Sequence, residues 1–225
     1  MIMSRREWAT KVQRNVYKHW KESHNDWKNG VKIFYSPVHS QTNLLILGFQ
    51  PGGSGKGKQH SRFEAGDFTP PEQHHYITKD WNLAREGREL FGGYKDVLSN
   101  SVASNVVFFR APDTDEWDAL DKAQRTSMED FCWEYIEELV DYVNPEVILA
   151  FGLRTFDKVA GQMGLNQEVV LSRSTSRLLA VSNESAPKVV GMIHPTGARI
   201  SNDDKSRLYK HTRELLAENR IIERA

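Results

Sequence analysis

Four short runs of almost unbroken apolar character punctuate an otherwise polar chain: "NLLILGF" at 43–49, "NVVFFRA" at 105–111, "EVILAFG" at 146–152 and "KVVGMIH" at 188–194. They are rich in β-branched and aromatic side chains and lack a polar alternation, so each reads as a strand buried on both faces of a parallel sheet. Between them the period becomes helical. In "SMEDFCWEYIEELVDYV", residues 127–143, Met128, Phe131, Cys132, Tyr135, Ile136, Leu139, Val140 and Val143 draw one apolar stripe. Thr126 with Glu129, or Ser127 with Asp130, offers a cap at its start, and Asn144-Pro145 stops it. Further helices are predicted at about 4–20, with Trp8, Val12, Val16 and Trp20 on one side, and at about 153–164. A last helix at about 202–218 opens with "SNDD", acids that suit a helix N-terminus.

Strands alternating with helices predict an α/β fold, specifically a three-layer α/β/α sandwich around a central, mainly parallel four-stranded sheet. The expected organisation is one domain over 1–225, with 1–40 as an N-terminal helical extension. Residues 55–95 are dense in Gly, Pro and His and show no clear period, so they read as an ordered excursion. Ligands of such sheets sit beyond the carboxyl ends of the strands. Two loops therefore carry the chemical interest: "GFQPGGSGKGKQHSR" after the first run and "HPTGARISNDDK" after the last.

Composition narrows the classes. Lys plus Arg balances Asp plus Glu at 30 each, which argues against a polybasic binder and leaves room for a local basic patch. A single cysteine, Cys132, excludes a disulfide framework, a thiolate zinc site and a Cys-ligated cluster. The N-terminal "MIMSRREWATKVQRN" is too polar for a signal peptide, and no apolar run approaches the ~18 residues of a membrane span. A cytoplasmic protein with no membrane partner is expected. His60, His74 and His75 have no spaced carboxylate to complete a metal set, and adjacent histidines point apart, so neither metal nor cofactor is expected.

The glycines and lysines of the first loop suggest phosphate. Gly52 to Lys58, "GGSGKGK", fits a nucleotide-binding P-loop through its lysine, but Gln59 follows where a magnesium-binding hydroxyl is needed. Pro51 also removes an N–H donor and stiffens the approach. A nucleotide triphosphatase is therefore disfavoured.

A shorter pattern matches better. Gly48-Phe49-Gln50-Pro51-Gly52 at the end of the first run, paired with His194-Pro195-Thr196-Gly197 at the end of the last, resembles the two signature motifs of the uracil-DNA glycosylase superfamily. "SNVVFFRAP" at 104–112 is similar to the second-strand segment of its cluster-containing branch, and "NPEVILAFG" at 144–152 to the third strand. The resemblance spans about 44–213 and points to a divergent, cluster-free member. It implies a monomeric base-excision enzyme that hydrolyses the N-glycosidic bond of uracil or another damaged base in single- or double-stranded DNA.

By that resemblance His194 donates a hydrogen bond to a carbonyl oxygen of the departing base and Gln50 holds the attacking water. Asn105 reads the Watson–Crick edge of the base, with Gly48, Phe49 and Phe91 around it, the last in "LFGGYKDVL". Gly52, Gly53, Ser54, Lys56, Lys58, Thr196 and Arg199 meet the DNA backbone. No acid falls within 48–62, and six basic residues face two acids within 188–213, which predicts a basic edge. Active relatives carry Asp or Asn where Gln50 stands, and the cluster-containing branch carries an acid where Phe49 stands. Neither position is acidic here. That keeps a second expectation open, a catalytically weak or inactive DNA- or nucleobase-binding module of the same fold.

Overall fold

Three of the four apolar runs form neighbouring strands, and two strands that carry little apolar signal extend the sheet. In a computed structural model that describes all residues except 1–3, 28, 39–41, 54–57, 175, 184–186, 198–199 and 224–225, and all of their side chains except 5, 58 and 59, the chain folds as α1 (Arg5–Ser23), β1 (Leu44–Gly48), α2 (Lys58–Glu64), α3 (His75–Thr78), α4 (Asn82–Phe91), α5 (Lys95–Asn100) and β2 (Val102–Asn105). It continues as α6 (Thr114–Asp118), α7 (Lys122–Val143), β3 (Val147–Phe151), α8 (Leu153–Gln162), β4 (Gln167–Arg173), β5 (Ser176–Ser182), β6 (Lys188–Met192) and α9 (Asn202–Glu218).

The sheet has six strands in the order β2-β1-β3-β6-β5-β4. β2, β1, β3 and β6 are parallel, whereas β5 runs antiparallel to β6 and β4 antiparallel to β5. The expected four-stranded sheet is thus corrected to a six-stranded mixed one within an α/β fold. The two extra strands escape a periodicity reading for a physical reason. β4 lies at the sheet edge with six of its seven residues exposed, so burial never demanded apolar side chains there, and β5 offers only the short run Leu178–Val181.

Alternation across the parallel strands splits the interior in two. Leu45, Leu47, Ile148 and Ala150 join Val12, Val16, Ile136 and Phe156 from α1, α7 and α8. Leu44, Ile46, Val147 and Leu149 join Leu90, Leu98 and Leu208 from α4, α5 and α9. Helices therefore cover both faces, which is why the strand runs are continuously apolar.

Three further expectations are revised. α7 begins at Lys122, not near Ser127, because the Asp121 carboxylate accepts from the amides of Ala123 (2.8 Å) and Gln124 (3.3 Å) and so caps a first turn that has no apolar stripe of its own. Residues 24–27 and 29–38 are not part of a helical extension. Val31, Ile33 and Phe34 are buried, Lys32 N donates to Phe108 O (2.8 Å), Tyr35 N donates to Ala103 O (2.9 Å), and Val31 bridges antiparallel to Phe109, so the segment lies along the β2 edge and shields it. Finally, the run at 105–111 is offset from the strand. β2 occupies 102–105, and the apolar residues after it are buried while leaving the sheet. Asn105 consequently stands at the carboxyl end of a strand, not its entrance.

Parallel register aligns the strand ends. Gly48 pairs with Asn105 on one side and Phe151 on the other, and Phe151 pairs with Met192. Gln50 and His194 each lie two residues past this row. Since β3 alone separates β1 from β6, strand spacing sets their backbones roughly 10 Å apart. Among the described residues no helix is long and apolar enough to cross a membrane.

Candidate functional site

Beyond the row of strand ends lies a cavity of about 740 Å³, within the usual range for a small-ligand site. Gln50, Asn105, His194, Thr196 and the Gly52-Gly53 backbone line it, so the first and last loops do converge. The chain passes from β1 to β2 on one side and later to β3 on the other, which makes this the topological switch point where open α/β sheets form crevices.

His194 is held by the turn that follows it. Its Nδ1 accepts from Gly197 N (3.0 Å) and lies 3.4 Å from Thr196 N and 3.2 Å from Thr196 Oγ1. A ring nitrogen that accepts backbone N–H bonds carries no proton, so the neutral tautomer with the proton on Nε2 is selected. Burial acts in the same direction and lowers the imidazole pKa below its usual 6.5. Nε2 has no partner among the described residues and is therefore a free N–H donor. Gly152, at φ +107°, lets the chain turn into α8 while its Cα hydrogens back the imidazole, and a Cβ there would lie 3.6 Å from His194 Cδ2 in a conformation strained for any L side chain.

Gln50 is anchored from the other side. Its Nε2 donates to Asp113 O (2.9 Å), while Oε1 is buried and makes no hydrogen bond. Asn105 is 5% exposed, and its Nδ2 makes no hydrogen bond of good geometry among the described residues, although its side chain interacts with the Tyr35 hydroxyl. Burying an amide group without a partner costs about 1–3 kcal/mol. Gln50 Oε1 is thus an acceptor, and Asn105 Nδ2 a loosely held donor, at one cavity.

Gly48 explains itself through Asn105. A Cβ at Gly48 would fall well inside van der Waals contact of Asn105 Oδ1. Gly48→Ala is expected to displace the Asn105 carboxamide and weaken ligand binding about tenfold or more, while lowering stability by only about 1 kcal/mol because one flexible side chain yields. Calorimetric titration beside thermal unfolding separates the two effects, and unaltered binding would dissociate Gly48 from the site.

Other expected residues are placed elsewhere. Phe49 packs against the core of the α1/α7/α8 face, with the Arg154 guanidinium 4.0 Å above its ring and Arg154 in turn salt-bridged to Asp118 (2.6 Å). Phe91 is 1% exposed within the opposite core. Neither lines the cavity, so both are structural aromatics. Gly48 acts only by making room for Asn105. Thr196 spends its hydroxyl on His194 and is a positioning residue for the imidazole. Ser54, Lys56 and Arg199, and the Lys58 side chain, lie outside the described residues.

The basic edge is also thinner than charge counting predicts. Lys205 bridges Glu86 (2.7 Å) and Glu89 (2.8 Å), and Lys210 lies 3.9 Å from Glu214. Partners from α4 and from the same helix neutralise part of it. Among the described residues no group of three His, Cys, Asp or Glu is placed to hold a metal ion.

Five lining residues carry no warning in a linear reading: Lys32, Tyr35, Tyr76, Trp81 and Arg110. Tyr76 and Trp81 come from the excursion, Lys32 and Tyr35 from the segment along β2, and Arg110 from inside an apolar run. The one available signal was a cation in each of two apolar stretches, "VKIFY" and "VVFFRA". Arg110 Nη2 donates to Gly52 O (2.9 Å), pinning the loop whose Gly53 has φ +89°, and its Nε is buried without a partner. Lys32 Nζ sits 3.9 Å from the Tyr35 ring centroid and 5.3 Å from that of Trp81. Burial, with Arg110 and Lys79 adding repulsion, lowers its pKa to about 7. Burial likewise pushes the Tyr35 hydroxyl up to about 12. The lining holds two cationic side chains and no carboxylate, so the cavity favours electron-rich or anionic ligands with an aromatic surface.

No protein-family model and no curated protein matches this chain.

Proposed function

We propose that this cavity receives a single nucleobase turned out of DNA and that the protein hydrolyses the bond joining that base to its deoxyribose. The observation that carries this reading is that His194, whose Nδ1 is engaged by its own turn and whose Nε2 makes no hydrogen bond among the described residues, lines the same cavity as Gln50, with its buried unbonded Oε1, and Asn105. Uracil presents carbonyl acceptors, which meet donors such as His194 and Asn105, and Tyr35, Tyr76 and Trp81 offer ring surface to it.

The chemistry requires negative charge to be stabilised on the departing base and a water to be presented to an oxocarbenium-like sugar. A neutral imidazole meets the first requirement, because its N–H bond to a base oxygen strengthens as that oxygen becomes anionic. Lys32 and Arg110 add a positive field in the same direction. Gln50 meets the second, since its amide nitrogen is tied to Asp113 O and its carbonyl is thereby held as an acceptor that orients a water. It cannot remove a proton.

The lack of any carboxylate in the lining favours one alternative, a module that binds a flipped base or a nucleotide and cleaves it slowly or not at all. A panel of oligonucleotides containing uracil, hypoxanthine, xanthine or mismatches separates the two readings. Release of free base from at least one substrate is expected, with Gln50→Leu slowing it about 10- to 100-fold by loss of the oriented water. Salt-dependent DNA binding with no base released from any substrate would leave only the binding module. Under the first reading the protein acts as a monomer on DNA in the cytoplasm.

A further inference from the structure

Beyond the positive field it lends to the cavity, Lys32 is placed for a second task. Its backbone is fixed by the bond from Lys32 N to Phe108 O (2.8 Å), and its Nζ rests between the faces of Tyr35 and Trp81 at the wall of the cavity. It makes no ion pair and no hydrogen bond through Nζ among the described residues, whereas Lys158 and Lys205 both reach carboxylates. The charged groups that face it are all basic: Arg110 from the loop after β2 and Lys79 after α3. The titratable groups nearby are Tyr35, the neutral His75 on α3, whose own pKa is lowered to about 4 by burial and by Lys32, and the neutral His194 across the cavity. An amine so surrounded has no carboxylate to hold it as an ammonium, the condition under which lysine serves as a nucleophile toward carbonyls.

Removal of a base leaves such a carbonyl in the same cavity, because the abasic sugar equilibrates with an open-chain aldehyde. We propose that Lys32 Nζ captures this aldehyde as an imine, giving the protein a covalent hold on abasic DNA. The inference rests on the reading that the cavity admits a flipped nucleotide. The Nζ lone pair forms a bond to C1′, the C1′ oxygen takes one proton from Nζ and one from solvent and departs as water to leave a protonated imine, and addition of water reverses the step and restores the amine. No oxidant or reductant is consumed. The protonated imine keeps its positive charge between the two aromatic faces, where cation–π attraction favours it.

The experiment uses the full chain and an oligonucleotide whose abasic site is prepared beforehand, with sodium cyanoborohydride to reduce the imine to a stable amine. A covalent adduct is expected, mapped by peptide mass spectrometry to Lys32. It should be absent with a tetrahydrofuran analogue that has no aldehyde. Because free amine is required, its yield should rise roughly tenfold between pH 6 and pH 8. Lys32→Arg and Lys32→Met should both abolish it while unfolding cooperatively near the wild-type temperature. No adduct, or an adduct on another amine, overturns the proposal, and mapping on the wild type decides this even if a variant misfolds. Base release measured separately on uracil-containing DNA distinguishes the two readings. Release without an adduct removes only the imine, and an adduct without release removes only the glycosylase.

Discussion

Replacing His194 with alanine is expected to lower base release by about 10²- to 10³-fold, the effect of deleting one preorganised donor to a developing anion. The loss should fall on kcat far more than on DNA affinity, because the Nε2 bond gains strength chiefly as the base departs. The pH profile provides a second signature. Protonation of Nδ1 would set a proton against the Gly197 amide that now donates to it, and burial opposes the cation as well. Activity should therefore stay level as pH falls through 6.5, the ordinary histidine value, and decline only below it. The sign for stability follows from the same depression. The unfolded chain takes up the proton first, so His194 contributes stability that is intact above about 6.5 and lost progressively as pH falls toward the folded value. A profile with its acid limb above 6.5, or an alanine variant as fast as wild type, would remove His194 from the chemistry.

The largest expected effect on stability lies one layer beneath the site. Gly191 sits in the middle of β6, paired with Ala150 and Ala180, and an added Cβ would overlap Cβ and Cγ of Phe156, which is fully buried on α8. These are the root atoms of that side chain, so no rotamer change relieves the clash and the helix itself must shift. Gly191→Ala should destabilise the protein by about 3 kcal/mol, the upper part of the usual overpacking range. For a chain of this length that corresponds to a fall in Tm of about 6–12 °C. Phe156→Ala removes Cγ but not Cβ and opens a cavity of its own, so the double variant stays destabilised; its loss should nevertheless fall short of the sum of the two single losses, a coupling that two independent sites would not show. An unchanged Tm in Gly191→Ala would mean that α8 is not seated on β6 as described.

These two residues illustrate the unequal legibility of the chain. His194 was visible because it closes an apolar run and opens a Pro-Thr-Gly turn; both are local features. Gln50 was visible for the same reason, and its distance from His194 followed once strands were assumed parallel. Trp81 illustrates the opposite. Five of the six tryptophans are buried core or staple residues, and nothing adjacent to Trp81 marks it as the one that lines a cavity. Phe49 and Phe91 hold motif positions, yet Phe49, just past β1, packs against one core and Phe91, at the end of α4, is buried in the other.

The sequence by itself determined the α/β alternation, three of the parallel strands, the stop of α7 at Asn144, and the two loops at the carboxyl edge, because each depends on spacing and on residues within a few positions. Only the tertiary structure decided which edge groups remain unpartnered, which lysine loses its solvent, and which acids neutralise α9. Those outcomes arise where segments far apart in the chain exclude water together, as 31–36, 76–82 and 110 do around Lys32, and desolvation is a property of the assembled surroundings that no single stretch carries.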